Sequence, residues 1–207
     1  MQTEGRKLIQ TDVAAAETIK NSFEDHARVM ADAAAVLPEI LDRVAADLHA
    51  CFTRGNKLLA CGNGGSASDA EHLVAELVGR YRDERRGLPA ITLVAGSATV
   101  TALANDYGYE RVFARQVEAL ARPGDLLFAI STSGRSPNVV EAARAARNLG
   151  CAVTAFTGAA EGPLAAEADI VVAAPSITTA RIQEVHALCI HVICESLDAR
   201  LRASGSQ

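Results

Sequence analysis

The sequence reads Lys57-Leu58-Leu59-Ala60-Cys61-Gly62-Asn63-Gly64-Gly65-Ser66 where a short apolar run gives way to glycine and serine. A second stretch repeats the pattern, since Asp125-Leu126-Leu127-Phe128-Ala129-Ile130 is followed by Ser131-Thr132-Ser133-Gly134-Arg135-Ser136. Each stretch predicts a buried strand, a tight turn and the start of a helix. Such a turn presents backbone N–H groups at a helix N-terminus, where the helix dipole favours an anion. Two such turns in one domain indicate a site for a phosphorylated small molecule.

Three further apolar runs have the length of buried strands and begin at Ala90, Ala152 and Asp169. Helical patterns separate the five runs, and a last long helix is predicted over residues 179–201. Continuous apolar strands that alternate with helices are typical of a parallel sheet covered on both faces. We therefore predict an α/β fold, a five-stranded parallel sheet flanked by helices in a flavodoxin-like three-layer sandwich. In such a fold ligands bind at the carboxyl ends of the strands.

The chain before this unit is rich in alanine, with apolar residues every three or four positions from about residue 12 to residue 52. This spacing predicts helices, and Val36-Leu37-Pro38 predicts a break between two of them, because proline suits a first helical turn. We assign residues 1–55 to an N-terminal helical segment that packs on the domain and in an oligomer. Residues 56–207 form the α/β unit, and the whole is one folding unit.

Composition limits the classes of function. The chain has 207 residues, 49% of them hydrophobic, and its net charge of −5 argues against a nucleic-acid-binding surface. Residues 1–7 contain no apolar signal core, and no stretch reaches the length of a membrane span. The five cysteines include no C-x-x-C pair, and Cys51, Cys61 and Cys151 lie in or beside apolar runs, which predicts buried reduced thiols. We expect a cytoplasmic protein with neither a nucleic-acid nor a membrane partner.

The second turn predicts a phosphate site. Ser136 is the expected N-cap and Pro137 the first helical residue. Four hydroxyls would then surround the helix N-terminus, those of Ser131, Thr132, Ser133 and Ser136. The alternative is an ordinary capped turn with solvated serines.

The first turn, Gly62-Asn63-Gly64-Gly65-Ser66-Ala67, matches the loose dinucleotide pattern G-x-G-x-x-A. No acidic residue closes the next strand to bind a ribose, and no Gly-Lys-Ser/Thr follows, so neither a dinucleotide site nor a Walker A loop is expected. Ser66 and Asp69 instead predict a capping box, with a helix from Ser66 to about Tyr81. The loop suits the polar chain of a sugar phosphate.

Two helices carry candidate chemistry. His72 and Glu76 are four residues apart and share a helix face, where they can hold a metal or carry protons, or form a solvated surface contact. In the last helix, Gln183 and His191 are separated by about 12 Å of rise and 80° of rotation. If both contact one ion, we expect a distorted helix or ligands from more than one chain.

Other polar positions have plainer interpretations. Asn105-Asp106 ends a helical pattern and fits a C-cap and turn. The mixed charges from Arg80 to Arg86 predict a solvated loop. Glu195 and Asp198 are expected to be exposed charges of the last helix.

With these residues collected, the chain from about Asn56 to Leu197 resembles the sugar isomerase (SIS) domain family, and within it the phosphoheptose isomerases. The matching blocks are Gly62-Asn63-Gly64-Gly65-Ser66, Asp69-Ala70-Glu71-His72 with Glu76, Asn105-Asp106-Tyr107-Gly108, Ile130-Ser131-Thr132-Ser133-Gly134, and Arg181-Ile182-Gln183-Glu184-Val185-His186 with His191. Five blocks in order over two-thirds of the chain are a specific signal, whereas any single block is weak.

The resemblance implies an aldose–ketose isomerase that converts sedoheptulose 7-phosphate to D-glycero-D-manno-heptose 7-phosphate through an enediol, the first step toward ADP- or GDP-heptose precursors. It implies Glu76 and His191 as catalytic base and acid, and one Zn²⁺ per subunit held by His72, Glu76, Gln183 and His191. It further implies a homotetramer with sites at subunit interfaces. The substrate-binding positions that it implies are Asn63, Gly64, Gly65, Ser66, Glu76, Asn105, Asp106, Ser131, Thr132, Ser133, Ser136 and Gln183.

Two alternatives share the fold. One is a non-catalytic SIS protein that binds the replication initiator DnaA as a tetrameric partner. It resembles the present chain less at the position of His191, so the enzyme is favoured. The other is a sugar-phosphate-sensing regulator, against which the absence of a DNA-binding segment counts.

Overall fold

The protein is described by a computed structural model that covers residues 13–158 and 160–205. Residues 1–12 of the predicted N-terminal segment lie outside the described residues. They include residues 1–7, in which no signal core is expected. The remainder forms a five-stranded, wholly parallel sheet in the order β2-β1-β3-β4-β5. Its strands are β1 Leu58–Gly62, β2 Ala90–Thr92, β3 Leu126–Ile130, β4 Ala152–Thr157 and β5 Ile170–Ala173. The predicted sheet is confirmed.

Helices cover both faces of this sheet, as predicted. They are α1 Val13–Val36, α2 Pro38–Thr53, α3 Gly65–Val78, α4 Ser97–Tyr107, α5 Val112–Leu120, α6 Pro137–Asn148 and α7 Thr179–Ala203. Short 3₁₀ turns occupy Tyr109–Arg111 and Ala165–Glu167. The break at Leu37-Pro38 is confirmed, with Pro38 in the first turn of α2. In the described parts of the chain we find no helix with the length and apolar character that a membrane span requires.

Alternate strand residues build two hydrophobic cores. Leu58 and Ala60 point to the face covered by α1, α2, α3 and α7, whereas Leu59 and Cys61 point to the face covered by α4, α5 and α6. This alternation explains why the strands are continuously apolar, because both of their faces are buried. All five cysteines are free and buried, as expected for reduced core thiols.

The start of α3 corrects one prediction. The N-cap is Gly64 with φ +56°, the helix begins at Gly65, and it ends before Gly79 rather than at Tyr81. Ser66 is therefore a buried residue of the first turn and forms no capping box with Asp69. Gly62 permits this tight turn, because a Cβ there would lie 2.4 Å from the carbonyl oxygen of Ser66.

The charges of α7 correct a second prediction. Asp198 is buried and pairs with Arg85, whose Nε lies 2.9 Å from Asp198 Oδ1. The stretch from Arg80 to Arg86 is therefore not simply a solvated loop, because one of its arginines reaches into the protein. Glu195 is exposed as predicted and pairs with Arg82 at 2.5 Å.

The topology places both glycine- and serine-rich turns side by side. β1 and β3 are neighbours, and Gly62 pairs with Ile130 at their carboxyl ends. The chain leaves β1 toward β2 on one side and leaves β3 toward β4 on the other. This reversal of strand order opens a crevice, which is the usual ligand site of such sheets.

Candidate active site

Three titratable side chains converge between α3 and α7. His72 Nε2 lies 3.3 Å from Glu76 Oε1 and 3.1 Å from His191 Nε2. The ligand atoms of the three residues all fall within 4.8 Å of one another. The spacing of four residues puts His72 and Glu76 on one face of α3, and the packing of α7 brings His191 to that face. The predicted acid and base therefore meet within one chain.

The helices that carry these groups run side by side in the same direction. Gly65 at the start of α3 faces Gln183 near the start of α7, and about two turns further along His72 faces His191. Gly65 leaves room for the amide of Gln183 at this crossing, because a Cβ there would lie 2.2 Å from Gln183 Nε2 and displace it. Gln183 thus contacts a point about 10 Å along α3 from the level of His72. The helix α7 is continuous from Thr179 to Ala203, so the distortion considered for joining Gln183 and His191 is absent.

The cluster fits a zinc ion. Two imidazole nitrogens and one carboxylate oxygen form the donor set of many catalytic zinc sites, which keep a further position open for water or substrate. The two Nε2 atoms face each other across 3.1 Å, a separation at which both can bind the same ion. His72, Glu76 and His191 are all half-buried, so a ligand can reach them.

The second turn surrounds the N-terminus of α6 as predicted. Ser136 is the N-cap and Pro137 follows it, but the Ser136 side chain makes no capping hydrogen bond. The Oγ of Ser136 instead lies 2.9 Å from the Oγ of Ser131, which is in turn 3.5 Å from the Oγ of Ser133. The hydroxyls therefore bond among themselves, and Thr132 lies half-buried beside them. An anion can replace these mutual contacts without leaving a helix cap broken.

Asn63 connects the first turn to two other loops. Its side-chain amide exchanges two hydrogen bonds of 2.9 Å with the amide of Asn138 in the first turn of α6. The hydroxyl of Tyr109 donates to Asn63 Oδ1 at 3.0 Å. Asn63 therefore fixes the first turn against the serine-rich turn and against the loop after α4.

The remaining predicted binding residues lie around Asn63 and differ in how far they are exposed to solvent. Gly64 and Gly65 are exposed at the tip of the first turn, whereas Ser66 is buried below it. Asn105 and Asp106 are exposed at the end of α4, where Asn105 Nδ2 donates to Asp106 Oδ1 at 2.9 Å. Tyr109 brings the loop after α4 to Asn63, so these residues border the same crevice.

Several contributing residues escaped sequence reasoning. Tyr81 stacks on the ring of His191, with centroids 5.6 Å apart and planes inclined by 28°. Asn138 and Tyr109 hold Asn63, and no local sequence pattern predicts either contact.

Asp69, which the sequence predicts as a capping residue, is buried, and its Oδ2 has no hydrogen-bond partner among the described residues. Burial raises the pKa of Asp69 to about 6, and the nearby His72 opposes that rise.

The sequence matches the SIS domain family over residues 14–158. The chain belongs to this family of sugar isomerase domains.

Within that family, the chain is a member of the phosphoheptose isomerases. It is 51% identical over 185 residues to the phosphoheptose isomerase of Roseiflexus sp. (strain RS-1), which covers 89% of the chain and 92% of the relative. Among solved structures, the phosphoheptose isomerase of Neisseria gonorrhoeae superposes with a TM-score of 0.85 at 40% identity, covering 89% of the chain and 99% of the relative. That of Francisella tularensis gives a TM-score of 0.87 at 37% identity, covering 89% and 98%.

Proposed function

We propose that the protein is an aldose–ketose isomerase that converts sedoheptulose 7-phosphate to D-glycero-D-manno-heptose 7-phosphate. The observation that carries the proposal is the meeting of Glu76, His72 and His191 between α3 and α7, in a fold whose two glycine- and serine-rich turns follow the paired ends of β1 and β3. The membership of the phosphoheptose isomerases supplies the substrate class. The alternative of a non-catalytic DnaA-binding protein is not favoured, because the relatives compared above are phosphoheptose isomerases.

Glu76 and His191 divide the proton transfers. The isomerisation moves a hydrogen between C1 and C2, so a base must remove a carbon-bound proton while an acid protonates the carbonyl oxygen. Glu76 serves as the base and His191 as the acid, and both lie beside His72 between α3 and α7. The resulting enediol takes a proton at C2 from Glu76 while its C1 hydroxyl gives its proton to His191, so the aldose has the same atoms as the ketose and both groups return to their starting states.

The turns hold the rest of the substrate. The hydroxyls of Ser131, Thr132, Ser133 and Ser136 bind the phosphate at the N-terminus of α6. Asn63, Gly64, Gly65, Asn105 and Asp106 contact the sugar hydroxyls between the two ends. Fixing the phosphate places C1 and C2 near Glu76, and such positioning accounts for much of the acceleration in reactions of this kind.

One zinc ion per subunit is the proposed cofactor. His72, Glu76 and His191 would hold it, with Gln183 as the fourth ligand predicted from the family resemblance. When bound, the ion anchors the substrate hydroxyls or polarises the carbonyl. Gln183 of the same chain packs against Gly65 rather than beside His72. We therefore propose that the Gln183 ligand of each zinc site comes from a partner subunit.

We propose a homotetramer with its sites at subunit interfaces. An apolar groove of about 210 Å³ lies between α1, α2 and α7, lined in part by Met30, Leu37 and Leu188. Leu188 is 46% exposed and Val192 39%, although both lie on a helix whose opposite side is core. Burying such side chains against another copy stabilises association by about 25 cal/mol per Å².

The buried free cysteines favour the reducing cytoplasm as the place of action.

The experiment incubates purified protein with sedoheptulose 7-phosphate and follows the aldose product by ¹³C NMR. We expect turnover, its loss after chelation and its return with one equivalent of Zn²⁺ per subunit. Light scattering on the same sample measures the mass of the assembly. Protein that is inert toward heptose phosphates with zinc bound, and that captures DnaA, would support the alternative instead.

A further inference from the structure

Arg85 reaches from the loop after α3 to the end of that helix. Its Nη2 donates to the carbonyl oxygen of Glu76 at 2.9 Å, and its Nη1 donates to that of Leu77 at 2.9 Å. The last carbonyls of a helix lack intrahelical donors, and a cation there also complements the helix dipole. Arg85 therefore closes α3 at the residue that supplies the proposed base.

Asp198 anchors the same guanidinium to α7. Its Oδ1 accepts from Arg85 Nε at 2.9 Å, and each of the two side chains is only 4% exposed. Its Oδ2 accepts from the backbone N–H groups of Arg82 at 3.3 Å and Asp83 at 3.4 Å. These N–H groups follow Tyr81, the residue whose ring stacks on His191. One carboxylate thus holds the end of α3 and the loop that carries Tyr81.

The spacing along α7 puts Asp198 on the face of His191. Seven residues separate them, which is close to two full turns. Gly65 with Gln183, His72 with His191, and Arg85 with Asp198 are successive contact levels between α3 and α7. The third level is the only ion pair among these three. Its guanidinium donates to Asp198 through Nε and to the carbonyls of α3 through Nη1 and Nη2, so the rigid plane of the group limits sliding of α3 along α7.

We infer that Arg85 and Asp198 are a positioning pair for the isomerase site. They fix the register of α3 against α7, and so the approach of Glu76 to the reacting carbon and the stacking of Tyr81 on His191. The inference rests on the proposed function for its kinetic consequence, but its geometric consequence is independent of turnover. A buried ion pair often adds little net stability compared with apolar side chains, so stability alone does not explain the presence of Arg85 and Asp198.

The test compares Asp198→Asn and Arg85→Lys with the matched control Glu195→Gln. Asp198→Asn removes the charge with little change of volume, and Arg85→Lys keeps the charge but loses the fork that holds two carbonyls. Glu195 forms an exposed pair with Arg82, between the same loop and the same helix. All proteins are assayed under conditions in which circular dichroism shows them to be folded. If Asp198→Asn does not fold, Arg85→Lys alone tests the positioning role.

We expect both variants to lower kcat at least tenfold with KM within twofold, and the control to change neither. In metal-free protein labelled at its five histidines, we expect the ¹H–¹³C ring signals of His191 to move in both variants and to stay fixed in the control. Wild-type kcat in a folded variant, or a fall in kcat with the His191 signals unmoved, would overturn the inference. If the wild-type protein does not turn over heptose phosphate, the proposed function fails, and the ring signals alone decide the positioning role.

Discussion

The two ends of the candidate site are built in different ways. The phosphate end comes from one contiguous turn, Ser131 to Ser136, between β3 and α6. The reacting end comes from α3 and α7, and its two imidazoles are 119 residues apart in the chain. A local turn can be specified by a few neighbouring residues, whereas the reacting end depends on how two helices slide against each other. Changes at the first end should therefore alter affinity, and changes at the second should alter rate.

The largest effect is expected for Glu76→Gln. The amide keeps the shape of the side chain but cannot take a carbon-bound proton, so kcat should fall by about 10³-fold, within the range typical of a lost general base. Steady-state kinetics with zinc-loaded protein measures this, and bound zinc is determined alongside. A variant with intact zinc and near-normal kcat would remove Glu76 from the chemistry.

At the other end, we expect Ser136→Ala to raise KM by about 10- to 100-fold. One hydrogen bond to a charged group contributes roughly 1.5–3 kcal/mol, and the hydroxyl of Ser136 is proposed to bind the phosphate. Stability should change little, because Ser136 makes no side-chain capping bond. A tenfold loss in kcat at unchanged KM would contradict the division between the two ends.

These contrasts explain how far the sequence alone could lead. The strands and both turns follow from local patterns, and the pair His72 and Glu76 follows from helical spacing. The partnership of Arg85 with Asp198 spans 113 residues, and no periodicity distinguishes a buried arginine from its exposed neighbours in the run from Arg80 to Arg86.

The errors at the start of α3 have a similar cause. The helix starts at Gly65 rather than at Ser66, and this first residue lies against Gln183 of a distant helix. Likewise, Asn138 meets Asn63 across 75 residues. Such contacts depend on tertiary register, which local propensity does not encode.

Gly65→Ala changes the contact between α3 and α7 at the first turn of each helix, so it tests whether this contact supports the reacting end of the site. The added methyl would displace the amide of Gln183, and we expect about a tenfold loss in kcat/KM. The melting temperature should hold or rise, since alanine in a helix is favoured over glycine by roughly 0.5–1 kcal/mol. The double variant with Gln183→Ala should be no worse than Gln183→Ala alone, and additive losses would show that Gly65 acts by another route.

The smallest effect concerns His186, which supports α7 against the sheet. It is fully buried, its Nε2 lies 3.3 Å from the carbonyl oxygen of Thr157, and burial lowers its pKa to about 4. The unfolded chain takes up a proton near pH 6.5 and the folded chain does not, so this residue costs stability as the pH falls from 6.5 toward 4. Between pH 8 and pH 5 the loss is about 2 kcal/mol.

Urea unfolding at both pH values measures this loss against His186→Gln, which can still donate to Thr157 but does not titrate. The variant should lose about 2 kcal/mol less than the wild-type protein over that interval. Equal acid sensitivity of the two proteins would place the titrating group elsewhere.

The most direct test of the central claim, that Glu76 removes a carbon-bound proton beside His191, is solvent exchange during turnover. Sedoheptulose 7-phosphate is incubated in D₂O with wild-type protein and with Glu76→Gln, and ¹H NMR follows the hydrogens at C1. We predict deuterium at C1 of the substrate and C2 of the product with the wild-type protein, and no exchange with Glu76→Gln. Exchange at the wild-type rate in Glu76→Gln would contradict the role of Glu76 as the base.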